Sequence, residues 1–184
     1  ALLRCVAVLA LAGAYGVQAQ GYPNRPVRLI VPFPPGGGID LFGRVLAQKL
    51  GDALGRQFVV ENRPGASGRF APEAIRQAKP DGDALMLVPH GPMTLFQWLH
   101  RQLRYDPIKD FEPVGLVGYS PTVLVVNPTV KAKDVKELVK LLKDKPDAYS
   151  FASAGNGTAP HFTAELFKLT TQTQPLHVPY KGSA

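Results

Sequence analysis

Short apolar runs alternate with amphipathic stretches through the first half of the chain. Val27-Arg28-Leu29-Ile30-Val31, set between Pro26 and Pro32, is nearly continuously apolar and predicts a buried parallel strand. A glycine loop follows, and from Asp40 the apolar residues Leu41, Phe42, Val45, Leu46, Leu50 and Leu54 keep helical spacing up to a stop at Gly55. Phe58-Val59-Val60 predicts a second strand. Turn-rich residues from Asn62 to Gly68 lead to a short helix over about Pro72 to Ala78, a Pro80-Asp81-Gly82 turn and a third buried strand from Ala84 to Val88. This βαβαβ order is that of a doubly wound layer.

Between Pro89 and Pro113 the pattern weakens to one short helix near Met93 to Leu99 and the turn-forming stretch Tyr105 to Asp110. Val114 to Val117 and Thr122 to Val126 then predict strands, Val135 to Leu142 an amphipathic helix and Tyr149 to Ala152 another strand. A helix from Ala159 to Leu169 should place Phe162, Leu166 and Leu169 on one side, and Leu176 to Val178 forms a last strand. The strand, glycine loop and helix module thus occurs twice, once in each of two expected lobes.

The first residues change the picture. Arg4 precedes an apolar run from Cys5 to about Val17, and Val17 and Ala19 have the spacing of a signal-peptidase site, so residues 1–19 read as a secretory signal peptide. The run is shorter than the roughly 20 apolar residues a bilayer span needs. Cys5, the single cysteine, lies inside it; the mature chain is expected to be soluble and without disulfides, and Leu3-Arg4 ahead of the cysteine is not a lipoprotein motif. Because the chain starts on Ala and stops at Ala184 just past a strand-like run, a piece of a longer protein is expected.

An apolar content of 45% argues against disordered and fibrous classes. The net charge of +7 suits an anionic partner, but its distribution does not suggest nucleic acid. From Lys131 to Lys145 the lysines are interrupted by Asp134, Glu137 and Asp144, as on a solvated helix face, and the only arginine-aromatic cluster, Trp98 to Tyr105, is short.

Chemistry concentrates in two loops. Pro32-Phe33-Pro34-Pro35-Gly36-Gly37-Gly38 lies between a buried strand and a helix, where glycines let a ligand approach the backbone and a helix N-terminus offers unpaired N–H groups to an anion. A tight strand-to-helix connection is the plainer reading of the same residues. The loop matches neither GxxxxGK nor GxGxxG, which would close on Arg44 or Leu41. In the second loop, Ser153-Ala154-Gly155-Asn156-Gly157-Thr158, the glycines again open the backbone, Thr158 is placed to cap the next helix ahead of Pro160, and His161 falls in the first turn, where the dipole favours a neutral ring. Ser67 lacks the spacing of a nucleophile elbow and His90, His100, His161 and His177 show no catalytic partner or metal spacing, so no enzyme, metal or cofactor is expected.

The ordered segments Tyr22-Pro23, Pro26 to Gly38, Asp40, Arg44, Val60 to Ala66, Pro80-Asp81-Gly82, Tyr105-Asp106-Pro107, Lys109-Asp110-Phe111, Ser153, Gly155, Gly157-Thr158, His161 and His177 to Gly182 resemble the Bug family, the substrate-binding proteins of tripartite tricarboxylate transporters. The resemblance implies an α/β type II periplasmic-binding-protein fold whose two lobes close on a ligand, with the first over residues 20–118 and the second over 119–184, both incomplete. It further implies a periplasmic, monomeric solute-binding protein that captures a small organic carboxylate for membrane transporter components, without nucleic acid. Carried over residue by residue, the site would comprise Phe33, Pro35, Gly36, Gly37, Gly38 and Asp40 facing Ser153, Gly155, Asn156, Gly157, Thr158 and His161. Ile39 stands where a small hydroxyl residue is common in the family and Gly43 where Ala is. A sensing module that docks on a signalling receptor is the alternative.

Overall fold

The computed structural model describes residues 21–183, so the expected signal peptide, with Cys5, lies outside the described residues. β1 (Val27–Val31) is the centre of a three-stranded parallel sheet, with β2 (Phe58–Asn62) on one side and β3 (Ala84–Met86) on the other. The registers pair Leu29 with Val60 and with Leu85. A central strand covered on both faces must be apolar throughout, and Val27, Leu29, Ile30 and Val31 are buried while Arg28 reaches out to Glu61 at 2.9 Å.

α1 (Gly38–Leu54) packs against β1 and β2, and Gly55 ends it in the left-handed conformation (φ 67°) that C-terminal glycines favour. Its buried face differs from expectation. Leu46 and Leu50 pack on the core of Val27, Leu29, Ala47 and Phe58, but Leu41, Phe42, Val45 and Leu54 are exposed. The tight side is made of small residues, because a Cβ on Gly43 would stand 3.0 Å from Val31 Cγ2. A 3-10 turn (Ala66–Gly68), α2 (Phe70–Ile75), α3 (His90–Thr94) and α4 (Phe96–Leu99) complete this layer, so the helix expected near Met93 to Leu99 is divided in two.

The second unit holds α5 (Val135–Asp144), β4 (Ser150–Ser153), α6 (Ala159–Thr171) and β5 (Leu176–Pro179), with β4 and β5 paired in parallel. Asp134 caps α5 by accepting from the Glu137 N–H at 2.9 Å. The strands expected at Val114–Val117 and Thr122–Val126 do not form among the described residues. β-propensity makes a strand only where a ladder partner is met; neither segment pairs with either sheet, and Val114 and Val125 are 85% and 80% exposed. The apolar side expected for α6 is also uncovered, with Leu166 and Leu169 exposed. No helix among the described residues is long and apolar enough to cross a membrane.

Candidate functional site

The first glycine loop runs from the end of β1 into α1. Gly36 adopts φ 91°, a region that side chains resist, and Gly37 is the N-cap of α1 with no side-chain cap. The Gly36 N–H donates to Asp40 Oδ2 at 2.9 Å and the Leu41 N–H to the Gly37 carbonyl at 3.0 Å. The N–H groups of Gly38, Ile39 and Asp40 have no partner among the described residues, as the first turn of an uncapped helix requires. Phe33 and Pro35 precede these donors in the loop, and the Phe33 carbonyl accepts from Asn62 Nδ2 at 2.9 Å.

Asp40 sits behind the loop. Its carboxylate is buried and accepts from Gly36, from Arg44 Nε and Nη2 at 2.9 and 3.1 Å, and from Asn62 Nδ2 at 2.8 Å. The Arg44 hydrogen bond, followed by those of Gly36 and Asn62, holds its carboxyl at about 2, against the opposing effect of burial. These contacts make Asp40 an organiser of the loop: its oxygens are spent on the protein, and a fixed negative charge repels an anion.

The second loop is organised in the same way. Buried Ser153 places Oγ 2.7 Å from His177 Nε2 and accepts the Gly155 N–H at 3.1 Å, while the Gly157 N–H donates to His161 Nδ1 at 3.1 Å. Gly155 and Gly157 adopt φ 131° and 79°. Thr158 is the N-cap of α6, yet the expected side-chain cap does not form: its Oγ1 donates to the Gly155 carbonyl at 2.7 Å, closing the loop on itself. The N–H groups of Ala159 and His161 are therefore without partners among the described residues, and Pro160 has none to offer. Asn156 projects into solvent at the tip.

Beneath the loop, His161 stacks on His177 at 4.3 Å, and His177 stacks on Phe151 at 4.6 Å. Burial, reinforced by His161 and Lys168 and opposed by Glu165, lowers the His177 pKa below the ordinary imidazole range.

Each loop lies against a segment of the other unit. A Cβ on Gly155 would lie 2.7 Å from Ser67 Oγ, and one on Gly182 would lie 3.3 Å from Pro34 Cδ and 3.5 Å from Phe33 Cδ1. Pro34, Pro179, Tyr180, Lys181 and Gly182 line a recess of about 520 Å³ where the first loop meets the end of β5. Ser67 and its neighbour Ala66 hold positive φ values of 55° and 47°, unusual for residues with side chains. Sequence reasoning gave no role to Arg44, Asn62 or His177, and dismissed Ser67 as a nucleophile without seeing its place opposite Gly155. The i, i+4 spacing of Asp40 and Arg44 on a helix was the available signal for one of these contacts.

Residues 42–184 match the model of the tripartite tricarboxylate transporter family receptor. The protein BugT of Bordetella pertussis is 40% identical over 177 residues, which cover 95% of this chain and 54% of that protein. Among solved structures, that of R. palustris Rpa4515 with adipate superposes with a TM-score of 0.84 at 32% identity, covering 88% of this chain and 54% of the other. The structure of MatC from Rhodopseudomonas palustris with bound malate gives 0.80 at 30% identity, covering 88% and 55%. The chain spans about half the length of the curated relatives it matches.

Proposed function

The chain belongs to the tripartite tricarboxylate transporter receptor family, with its α/β periplasmic-binding-protein fold, and from that premise we propose that it captures a small carboxylate in the periplasm for delivery to membrane transporter components. The observation that carries this reading is the pair of uncapped helix N-termini, α1 at Gly37 and α6 at Thr158, each reached through a glycine loop. Side chains that would normally satisfy such ends are absent at Gly37 and turned away at Thr158. Gly38, Ile39 and Asp40 on one side and Ala159 and His161 on the other thus present main-chain donors whose natural guest is an anion. Adipate and malate in the two similar structures support the ligand class.

In this reading residues 20–118 and 119–184 belong to separate lobes that close over the ligand. Capture needs no covalent step: fixed amides replace water around the carboxylate, and closure strengthens each hydrogen bond by excluding solvent. Calorimetric titration with a panel of mono-, di- and tricarboxylates tests the ligand class.

The donors are tested by Gly38→Pro. Proline is tolerated at the first helical position, no atom lies within 4 Å of a Cβ placed there, and the substitution deletes one N–H. A hydrogen bond to a charged group is worth about 1.5–3 kcal/mol, so affinity should fall by roughly 10- to 150-fold at unchanged thermal stability. Undiminished affinity in this variant, or binding of neutral sugars and no carboxylate, refutes the reading.

A further inference from the structure

We propose that the outer side of α4 and the recess beside it form a docking surface for an acidic segment of a partner protein. Resting on the transport reading above, that partner is the membrane component that receives the ligand.

The helix has two unlike sides. Phe96 is fully buried and, with Leu99, faces the second loop: a Cβ on Gly157 would stand 2.6 Å from Phe96 Cε1 and 3.0 Å from Leu99 Cδ1. Trp98, the chain's single tryptophan, lies on the opposite side and is 83% exposed. Its neighbour in the helix, Gln97, borders a recess of about 580 Å³ together with Arg76, His100, Arg101, Arg104 and Asp110. Arg76 is committed to Asp110 at 2.8 Å and to the Arg104 carbonyl at 3.0 Å. Arg101 and Arg104 have no ion pair among the described residues.

An exposed tryptophan close in sequence to two guanidinium groups that have no ion pair among the described residues has the composition of an interaction hot spot, an apolar anchor with forks that take carboxylates through paired hydrogen bonds. The charge balance selects among acidic partners. Asp106 and Asp110 stand among the three arginines of the recess, leaving little net charge for an anionic lipid surface or a nucleic-acid backbone, whose attraction accumulates cation by cation. A folded partner that positions individual carboxylates can engage Arg101 and Arg104 while avoiding the aspartates. The location also suits a receptor, because the recess is tied to the ligand loop: Tyr105 donates its buried hydroxyl to the Pro92 carbonyl of α3 at 2.6 Å, and Gly91 of α3 packs so close to Gly157 that a Cβ would meet its carbonyl oxygen at 2.8 Å.

The test compares the wild-type protein with the variants Arg101→Glu/Arg104→Glu and Trp98→Ala, using the transporter's membrane component in nanodiscs as the probe. Polarisation of the labelled protein should show docking that weakens at least tenfold in both variants, while their carboxylate affinities stay within twofold of wild type and iodide quenches Trp98 in the free protein. Docking that is equal in wild type and variants, or absent from wild type, overturns the proposal. So does a Trp98 shielded from iodide, which would mean that the protein's own chain or a second copy covers the patch. Wild-type binding to phosphatidylglycerol vesicles or duplex DNA that the double variant loses assigns the surface to another occupant and overturns it as well. Failure of wild type to bind any carboxylate while docking persists refutes the ligand reading alone and leaves the docking surface standing.

Discussion

Asp40 offers the sharpest test of how the first loop is built. Replacing it by alanine leaves the Gly36 N–H and the Asn62 amide without their acceptor and Arg44 without its ion pair. Breaking a fully buried pair costs about 3–5 kcal/mol, but Arg44 is half exposed and water recovers part of its loss, so about 3 kcal/mol is expected. In a chain of this size that corresponds to a fall in Tm of roughly 6–12 °C, with Asp40→Asn costing about half as much because it retains one acceptor at the same volume. The pH dependence supplies the sign. A carboxyl held at about 2 in the folded protein contributes stability in full above its unfolded value of about 3.9, and loses that contribution as pH falls through 2. Circular-dichroism melts should therefore show a constant gap between wild type and Asp40→Ala from about pH 8 to 5, narrowing below about pH 4. A gap under about 2 °C at neutral pH, or one that persists undiminished to about pH 2.5, refutes the assignment of Asp40 as the loop's organiser.

Three further outcomes follow from local geometry. Ser67→Gly relieves a left-handed residue and should stabilise the protein by about 1 kcal/mol, read as a higher urea midpoint at unchanged slope. Gly157→Ala introduces both a strained φ and a Cβ 2.6 Å from the buried Phe96 ring; a loss of about 2–3 kcal/mol and a carboxylate affinity reduced at least tenfold are expected from melts and calorimetry. His177 has a lowered pKa, so its neutral form favours folding, and the stability it contributes above about pH 6.5 is lost as pH falls below that value. The slope of Tm between about pH 7 and 5 should accordingly flatten in His177→Asn, and an unchanged slope would exclude the stacked ring as its source.

The sequence made the layers of the first unit legible because they rest on local signals. A proline-bounded apolar run such as Val27–Val31 can hardly be anything but a central strand, and Gly55 marks its helix end by a conformation that other residues avoid. The faces were less readable. The spacing of Leu41, Phe42 and Val45 is helical, but which side of α1 is buried depends on how closely the helix approaches β1, and that approach is set by the missing side chain of Gly43. Val114–Val117 and Thr122–Val126 failed for a related reason: strand propensity is local, whereas a ladder partner is not. The loops were found through their glycines, yet the side chains that shape them come from distant positions, Asn62 reaching back to Asp40 and His177 to Ser153 across 22 and 24 residues.

Those distant contacts divide the loop amides into two sets. Glycine is required at 36, 155 and 157 for positive φ, and the N–H of each is spent inside the protein, on Asp40, Ser153 and His161 respectively. The unspent donors belong to the residues that follow, Gly38, Ile39 and Asp40 at the start of α1 and Ala159 and His161 at the start of α6. The glycines therefore act by turning the chain and fixing it, and the helix ends they deliver carry the donors of the proposed anion site. The identity of the side chains at positions 39 and 159 can then vary without loss of the donors, because a main-chain N–H is supplied by every residue except proline.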